Sequence, residues 1–152
     1  MIQCRPTGTF SWNFELEGAG HRAALEFDWF SEQGTMHIDG EALRIQKHGI
    51  GSGRWSLNRK DQQLVSSHKS SPLTRRFEIA AEAGPLVLRA ASAFGRKFVL
   101  ERSGKAIATI APNHAFTRRA TIATNDADTD FRTLAFAFWL AVLTWRRTAR
   151  RS

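Results

Sequence analysis

Thr133-Leu-Ala-Phe-Ala-Phe-Trp-Leu-Ala-Val-Leu-Thr-Trp145 runs for thirteen residues without a charged or strongly polar side chain. Asp126, Asp128 and Asp130 stand before it and Arg146 and Arg147 after it, the charge order that a helix dipole favours, with three candidate N-cap residues at the start. The pattern predicts a helix over about 128–147. A helix on the outside of a sheet keeps a wet side and shows an apolar stripe, whereas one that is apolar all round must be surrounded. At 1.5 Å per residue the stretch reaches roughly 20 Å, short of the ~30 Å hydrocarbon core of a bilayer. The reading is therefore a buried helix, with a tail anchor and an oligomer contact as its competitors. Ala135, Ala137 and Ala141 would thin this helix where neighbours press close, while Leu134, Phe136, Phe138, Trp139, Leu140 and Leu143 would fill the space around it.

What surrounds it is legible upstream, where side-chain character alternates with the period of a half-buried strand. Phe10, Trp12, Phe14 and Leu16 alternate with Ser11, Asn13, Glu15 and Glu17, and after Gly18 and Gly20 the pattern resumes with Ala23, Leu25, Phe27 and Trp29. Asp39-Gly40 supplies the positive φ angles of a two-residue hairpin turn and sets Met36 opposite Leu43. Ser103-Gly104 repeats that grammar and sets Leu100 opposite Ile107. Gly40-Glu-Ala-Leu43 and Gly104-Lys-Ala-Ile107 match in type, a hint of internal repetition. Further strands are expected at Trp55–Asn58, Gln63–Ser67, Leu73–Ala81, Leu86–Ala91 and Phe116–Thr124, separated by short turns as in a sandwich or barrel. The fold class is thus mainly β: a closed antiparallel β-barrel or roll enclosing a hydrophobic C-terminal helix. One domain spans residues 1–152, with strands within about 9–124.

Two arginines break the alternation. Arg118 shares the parity of Phe116, Ala120 and Ile122, and Arg75 that of Leu73, Phe77 and Ile79. A buried unpaired Arg is very costly, so each is expected at a strand end or bulge with its head in water. The sharper expectation pairs Arg118 with Asp126, Asp128 or Asp130 at the helix start.

Composition narrows the function. The chain has 152 residues, a formal net charge of +8 and a single cysteine. A 42% hydrophobic content excludes a disordered tail, and Cys4 has no partner for an internal disulfide. Met1–Trp12 lacks the basic n-region and apolar h-region of a secretory signal, so the expected location is cytoplasmic, or peripheral to the inner face of the membrane. The charge is uneven: residues 1–43 carry two basic and seven acidic groups, residues 44–76 eight and one. Such basic surface attracts anionic lipid headgroups, an acidic protein or nucleic acid. No RRM, KH or helix-turn-helix pattern supports the last of these.

Catalytic and metal patterns are missing. The five histidines are spread without metal-ligand spacing, and no HExxH, CxxC, GxSxG or P-loop occurs. Gly49-Ile-Gly-Ser-Gly53 is Gly-rich but lacks the Lys and helix start that cradle phosphate. The expectation is a non-enzymatic protein with no cofactor.

Strands closed around a final hydrophobic helix, with Phe98-Val-Leu-Glu-Arg-Ser-Gly-Lys-Ala-Ile-Ala-Thr-Ile110 followed by Phe116–Thr124 and the helix, resemble the tubby-like superfamily of tubby C-terminal domains, LURP-one-related proteins and phospholipid scramblases. The likeness covers residues 98–147, and in length the chain is nearer the small bacterial members. It implies non-catalytic docking on phospholipid headgroups through surface Lys and Arg. No family lipid-binding residue aligns with a position here. From charge placement, the candidate headgroup or acidic-partner surface is Arg54, Arg59, Lys60, Lys69, Arg75 and Arg76. The alternative is a lipocalin-like carrier of a small apolar ligand, suggested by Gly53-Arg54-Trp55 and by the size of barrel this length allows.

Overall fold

In a computed structural model describing residues 1–151, twelve antiparallel strands follow one another around a closed barrel. They are β1 (Ile2–Pro6), β2 (Phe14–Gly18), β3 (His21–Phe27), β4 (Gly34–Ile38), β5 (Glu41–Lys47) and β6 (Arg54–Arg59). The second half is β7 (Gln62–His68), β8 (Arg76–Ala81), β9 (Gly84–Ala90), β10 (Phe98–Arg102), β11 (Lys105–Pro112) and β12 (Ala120–Thr124), followed by α1 (Phe131–Arg150). Each strand pairs with its neighbours in sequence, and β1 closes the ring on β12 with Ile2 opposite Ile122. Closure leaves no free sheet edge.

α1 runs through the barrel. Every residue from Thr133 to Arg146 is buried, as an element apolar on all sides requires. Asp130 caps it by accepting the Thr133 amide at 3.2 Å, and the helix occupies 131–150, three residues later than the sequence pattern placed it. Phe138 meets Phe14 edge-on at 5.0 Å and Trp145 at 5.9 Å, while Trp139 stacks on Phe27 at 4.7 Å. The barrel interior is therefore filled by side chains. Alternate strand residues, among them Leu16, Leu25, Met36, Leu43, Trp55, Phe77 and Leu88, complete the core.

Met36 does face Leu43. Leu100, however, faces Ala108 and not Ile107, because the register slips between Leu100 and Glu101: a bulge inserts one extra residue and shifts every later partner. The matched turns at Asp39-Gly40 and Ser103-Gly104 lead into β5 and β11, six strands apart in a ring of twelve, so they lie across the barrel from each other. The first expected strand is shorter than its pattern. Pairing begins only at Phe14, and Phe10 is exposed in the preceding loop. Trp29, Leu73 and Phe116, each read as part of a strand, are likewise exposed outside one. β1 went unread because Ile2 and Cys4 are its only buried apolar positions.

Candidate functional site

The meander gives the barrel two unlike ends. At one, strands are joined by two-residue turns: Ala19-Gly20, Asp39-Gly40, Lys60-Asp61, Glu82-Ala83 and Ser103-Gly104, and the connection 125–130 enters α1 there. Ala19, Asp39, Lys60 and Ser103 all take positive φ, the twist that such tight turns demand. At the other end six longer loops span 7–13, 28–33, 48–53, 69–75, 91–97 and 113–119, and α1 finishes among them.

The ends differ in charge. The turn end carries Asp39, Asp61, Glu82, Asp126, Asp128 and Asp130 against Lys60 and, in the first turn of α1, Arg132. The loop end carries Lys69, Arg75, Arg96, Lys97, Arg118 and Arg119, with Arg146, Arg147, Arg150 and Arg151 from α1, against Asp28 and Glu32. Both sets oppose the local pole of the helix dipole, so the separation also stabilises α1. Strand-end cations Lys47, Arg54 and Arg76 add to the same rim.

Four of these arginines are structural plugs. Arg75 donates to the carbonyls of Ser92, Ala93 and Gly95 at 3.2, 3.0 and 2.6 Å. Arg96 donates to His114, Ala115 and Thr117 at 3.3, 2.7 and 2.7 Å. Arg118 donates to the carbonyls of Gly8, Thr9 and Ser11, and Arg146 to those of Asp28, Trp29 and Ser31 at 3.3, 3.4 and 2.9 Å. The expected partnership of Arg118 with a helix-start aspartate is thereby corrected: Arg118 precedes β12 at the loop end, while Asp126 and Asp130 lie at the turn end. There Asp126 binds Arg102 at 2.7 Å and Thr129 at 2.6 Å instead.

A knot of charge closes the mouth beside β5 and β6. Glu32 accepts from Lys47 at 2.7 Å and from Arg147, with Arg147 Nη2 at 2.6 Å, and its backbone carbonyl accepts the Trp55 indole N–H at 3.1 Å. Burial works against the Glu32 carboxylate, but the hydrogen bonds from Arg147 and Lys47 outweigh it and hold its pKa at about 2. Lys69 sits 5.6 Å over the Phe77 ring. Burial, then the nearby Arg147 and Arg151, lowers its pKa to about 8. Gly53 is obligatory here, since a side chain would meet the Lys69 carbonyl at 2.6 Å.

The six cations expected to form one surface divide. Arg54, Lys69, Arg75 and Arg76 lie at the loop end, whereas Arg59 and Lys60 lie at the turn between β6 and β7, where Arg59 binds Glu41 at 2.7 Å. Arg75 is committed to carbonyls, and Arg54, Arg76, Lys97, Arg119, Arg150 and Arg151 are the exposed cations of this end. A cleft of about 310 Å³ opens at the same rim between Trp12, Phe94, Trp145 and the stems of Arg75, Arg96 and Arg118. Among the described residues, no group of three or more His, Cys, Asp or Glu is placed to hold a metal ion, and no helix is long and apolar enough to cross a membrane.

The reading of alternation missed a repeat that the chain spells out. Leu73-Thr-Arg-Arg76, Phe94-Gly-Arg-Lys97 and Phe116-Thr-Arg-Arg119 recur at intervals of 21 and 22 residues. In two of them the first arginine plugs the next loop around the ring, and Arg118 does the same across the β12–β1 closure. Compared with protein-family models, with curated proteins and with solved structures, the chain matches none.

Proposed function

We propose that this chain is a non-enzymatic docking domain, a tubby-like barrel peripheral to the inner face of the membrane, which binds anionic phospholipid headgroups with its loop end. The observation that carries this reading is the axial separation of charge, with ten cations against two carboxylates in the six loops and the helix end, and the acidic excess at the far end. A cytoplasmic leaflet rich in anionic lipid attracts each Lys or Arg near its surface by about 1 kcal/mol, and the attraction fades within a Debye length. Opposite charge at the two ends turns that attraction into an orientation, because the acidic turn end is repelled. The fold supports the same reading: a barrel closed around a buried helix is the arrangement that the tubby-like resemblance implies.

The test is flotation of the purified protein with neutral, phosphatidylserine and phosphoinositide vesicles at low and physiological salt. Flotation with the anionic vesicles that persists at physiological salt is expected. Replacing Arg54, Lys97, Arg119 and Arg150 by Glu is expected to weaken it at least about tenfold, whereas Arg22→Glu with Lys105→Glu, at the turn end, changes it little. The reading is abandoned if the native protein floats with no vesicle, or if the two sets of substitutions act alike.

A further inference from the structure

Each of the six long loops ends in a large apolar side chain that touches little of its own protein. Phe10, Phe30, Ile50, Leu73, Phe94 and Phe116 are the tips, Trp29 stands beside Phe30, and all seven are at least 80% exposed. Single exposed apolar residues are ordinary on a protein surface. One on every loop of one end, against only the terminal Met1 at the turn end, is a pattern. Of the eight large hydrophobic side chains exposed among the described residues, only Met1 lies outside it.

The backbone beneath four tips is built alike. Around Phe10, Phe30, Phe94 and Phe116, a guanidinium takes the carbonyls two before, one before and one after the tip. Three carbonyls thus turn inward on an arginine while the aromatic ring turns outward. In the Leu73 and Ile50 loops hydroxyls take the place of the guanidinium, with Thr74 donating to the Ser71 carbonyl at 3.0 Å and Ser52 to the Gly49 carbonyl at 3.2 Å. Carbonyls satisfied internally lower the cost of moving a loop out of water, the requirement that a bilayer imposes on any backbone entering it.

We propose that the loop end is a membrane-insertion surface: the six apolar tips enter the interfacial zone of an anionic bilayer together and set the barrel upright on it, with the acidic turn end pointing away. This rests on the docking proposed above and adds hydrophobic penetration to charge attraction. Two features favour a bilayer over a protein partner. Each hairpin contributes two strands at ~4.8 Å, so neighbouring tips stand roughly 10 Å apart. That makes a crown of separate points, which a fluid interface can close around one by one; a rigid interface wants one continuous apolar core. A second copy meeting this end would also set one cationic rim against another, which costs rather than gains.

Two readouts test it. Cys4 is buried, so a polarity-sensitive fluorophore on Phe116→Cys reports one loop tip, and one on Lys105→Cys reports the turn end. With vesicles of phosphatidylcholine and phosphatidylserine, the label at 116 is expected to shift to the blue and to be quenched by bromine-labelled acyl chains, while the label at 105 stays solvent-like. The triple variant Phe10→Ser, Phe94→Ser, Phe116→Ser is expected to keep its near-UV circular dichroism and to partition at least about tenfold more weakly, including at high salt. A protein that floats in a charge-dependent way with a solvent-like label at 116 keeps the docking and overturns the insertion. One that floats with no vesicle overturns both. Self-association in solution that the triple variant abolishes, without vesicle binding, makes the tips a contact between copies and overturns the insertion as well.

Discussion

Arg118 and Arg119 are neighbours of the same chemistry with opposite duties. Arg118 reaches 107 residues back along the chain to the Ser11 carbonyl and holds loop 7–13 against the start of β12, while the Arg119 side chain is exposed. Arg118→Glu takes the guanidinium from three carbonyls and puts a carboxylate among them, and should lower Tm by roughly 5 °C or more. Arg119→Glu should stay within about 0.5 kcal/mol of the native protein. Thermal scans of the two variants side by side check this, and equal losses would remove the plug from the account. Glu32 gives a second prediction. Its pKa is depressed from 4.5 to about 2 in the folded chain, so the stability it contributes is complete above about pH 4.5 and is lost as pH falls through 2. Discounted for partial exposure, that contribution is on the order of 2 kcal/mol. Glu32→Gln should lose it at neutral pH and flatten the acid limb, as urea melts between pH 2 and pH 6 would reveal. The alternation of side chains marked Arg75 and Arg118 as odd residues and put each at a strand end, near the starts of β8 and β12 as found, but gave their heads to water or an aspartate and not to carbonyls. Which carbonyls answer them is set by loops distant in sequence, and no local pattern contains that.

α1 shows the same division. Its apolar run, its acidic approach and its basic end pointed to a buried helix and placed its two ends within three residues of where they lie. Of its three candidate caps, geometry selected Asp130, which accepts from the Thr133 amide, and turned Asp126 to Arg102. Asp130→Ala should therefore cost about 1 kcal/mol and Asp128→Ala little, a difference that chemical denaturation of the two variants resolves. The hairpins were legible at their turns, where Asp39-Gly40 and Ser103-Gly104 leave the backbone few choices. They were less legible along their lengths: the slip between Leu100 and Glu101 sets Leu100 opposite Ala108, because a bulge answers to barrel curvature and not to the two strands alone. Phe10, Trp29, Leu73 and Phe116 were read as strand residues because period two counts apolar side chains without asking whether anything covers them.

The barrel sorts its charge and its apolar tips by end. An up-and-down order sends every odd-to-even connection to one rim and every even-to-odd connection to the other, so residues from six loops spread over the whole chain become one surface. Flotation, fluorophore and quenching experiments therefore interrogate a single axis, asking whether the loop end meets the membrane while the turn end stays in water. α1 joins the two rims, with Asp130 at one and Trp145, whose indole donates to the Arg96 carbonyl at 2.9 Å, at the other. The expected six-cation patch failed to assemble for the same topological reason. Arg54 and Arg59 are the two ends of one strand, and a strand's ends lie on opposite rims.

By itself the sequence determined the fold class: strands of period two, turns of positive φ, and a helix apolar on every face that favours burial over an anchor or an oligomer contact. These are local properties, each decided by a few neighbouring residues and their affinity for water. Only the tertiary structure decided the surface. Ring closure of β1 on β12, the direction of each loop and the pairing of arginines with remote carbonyls join residues as far apart as Ile2 and Ile122, and contacts of that kind exist only once the barrel has closed.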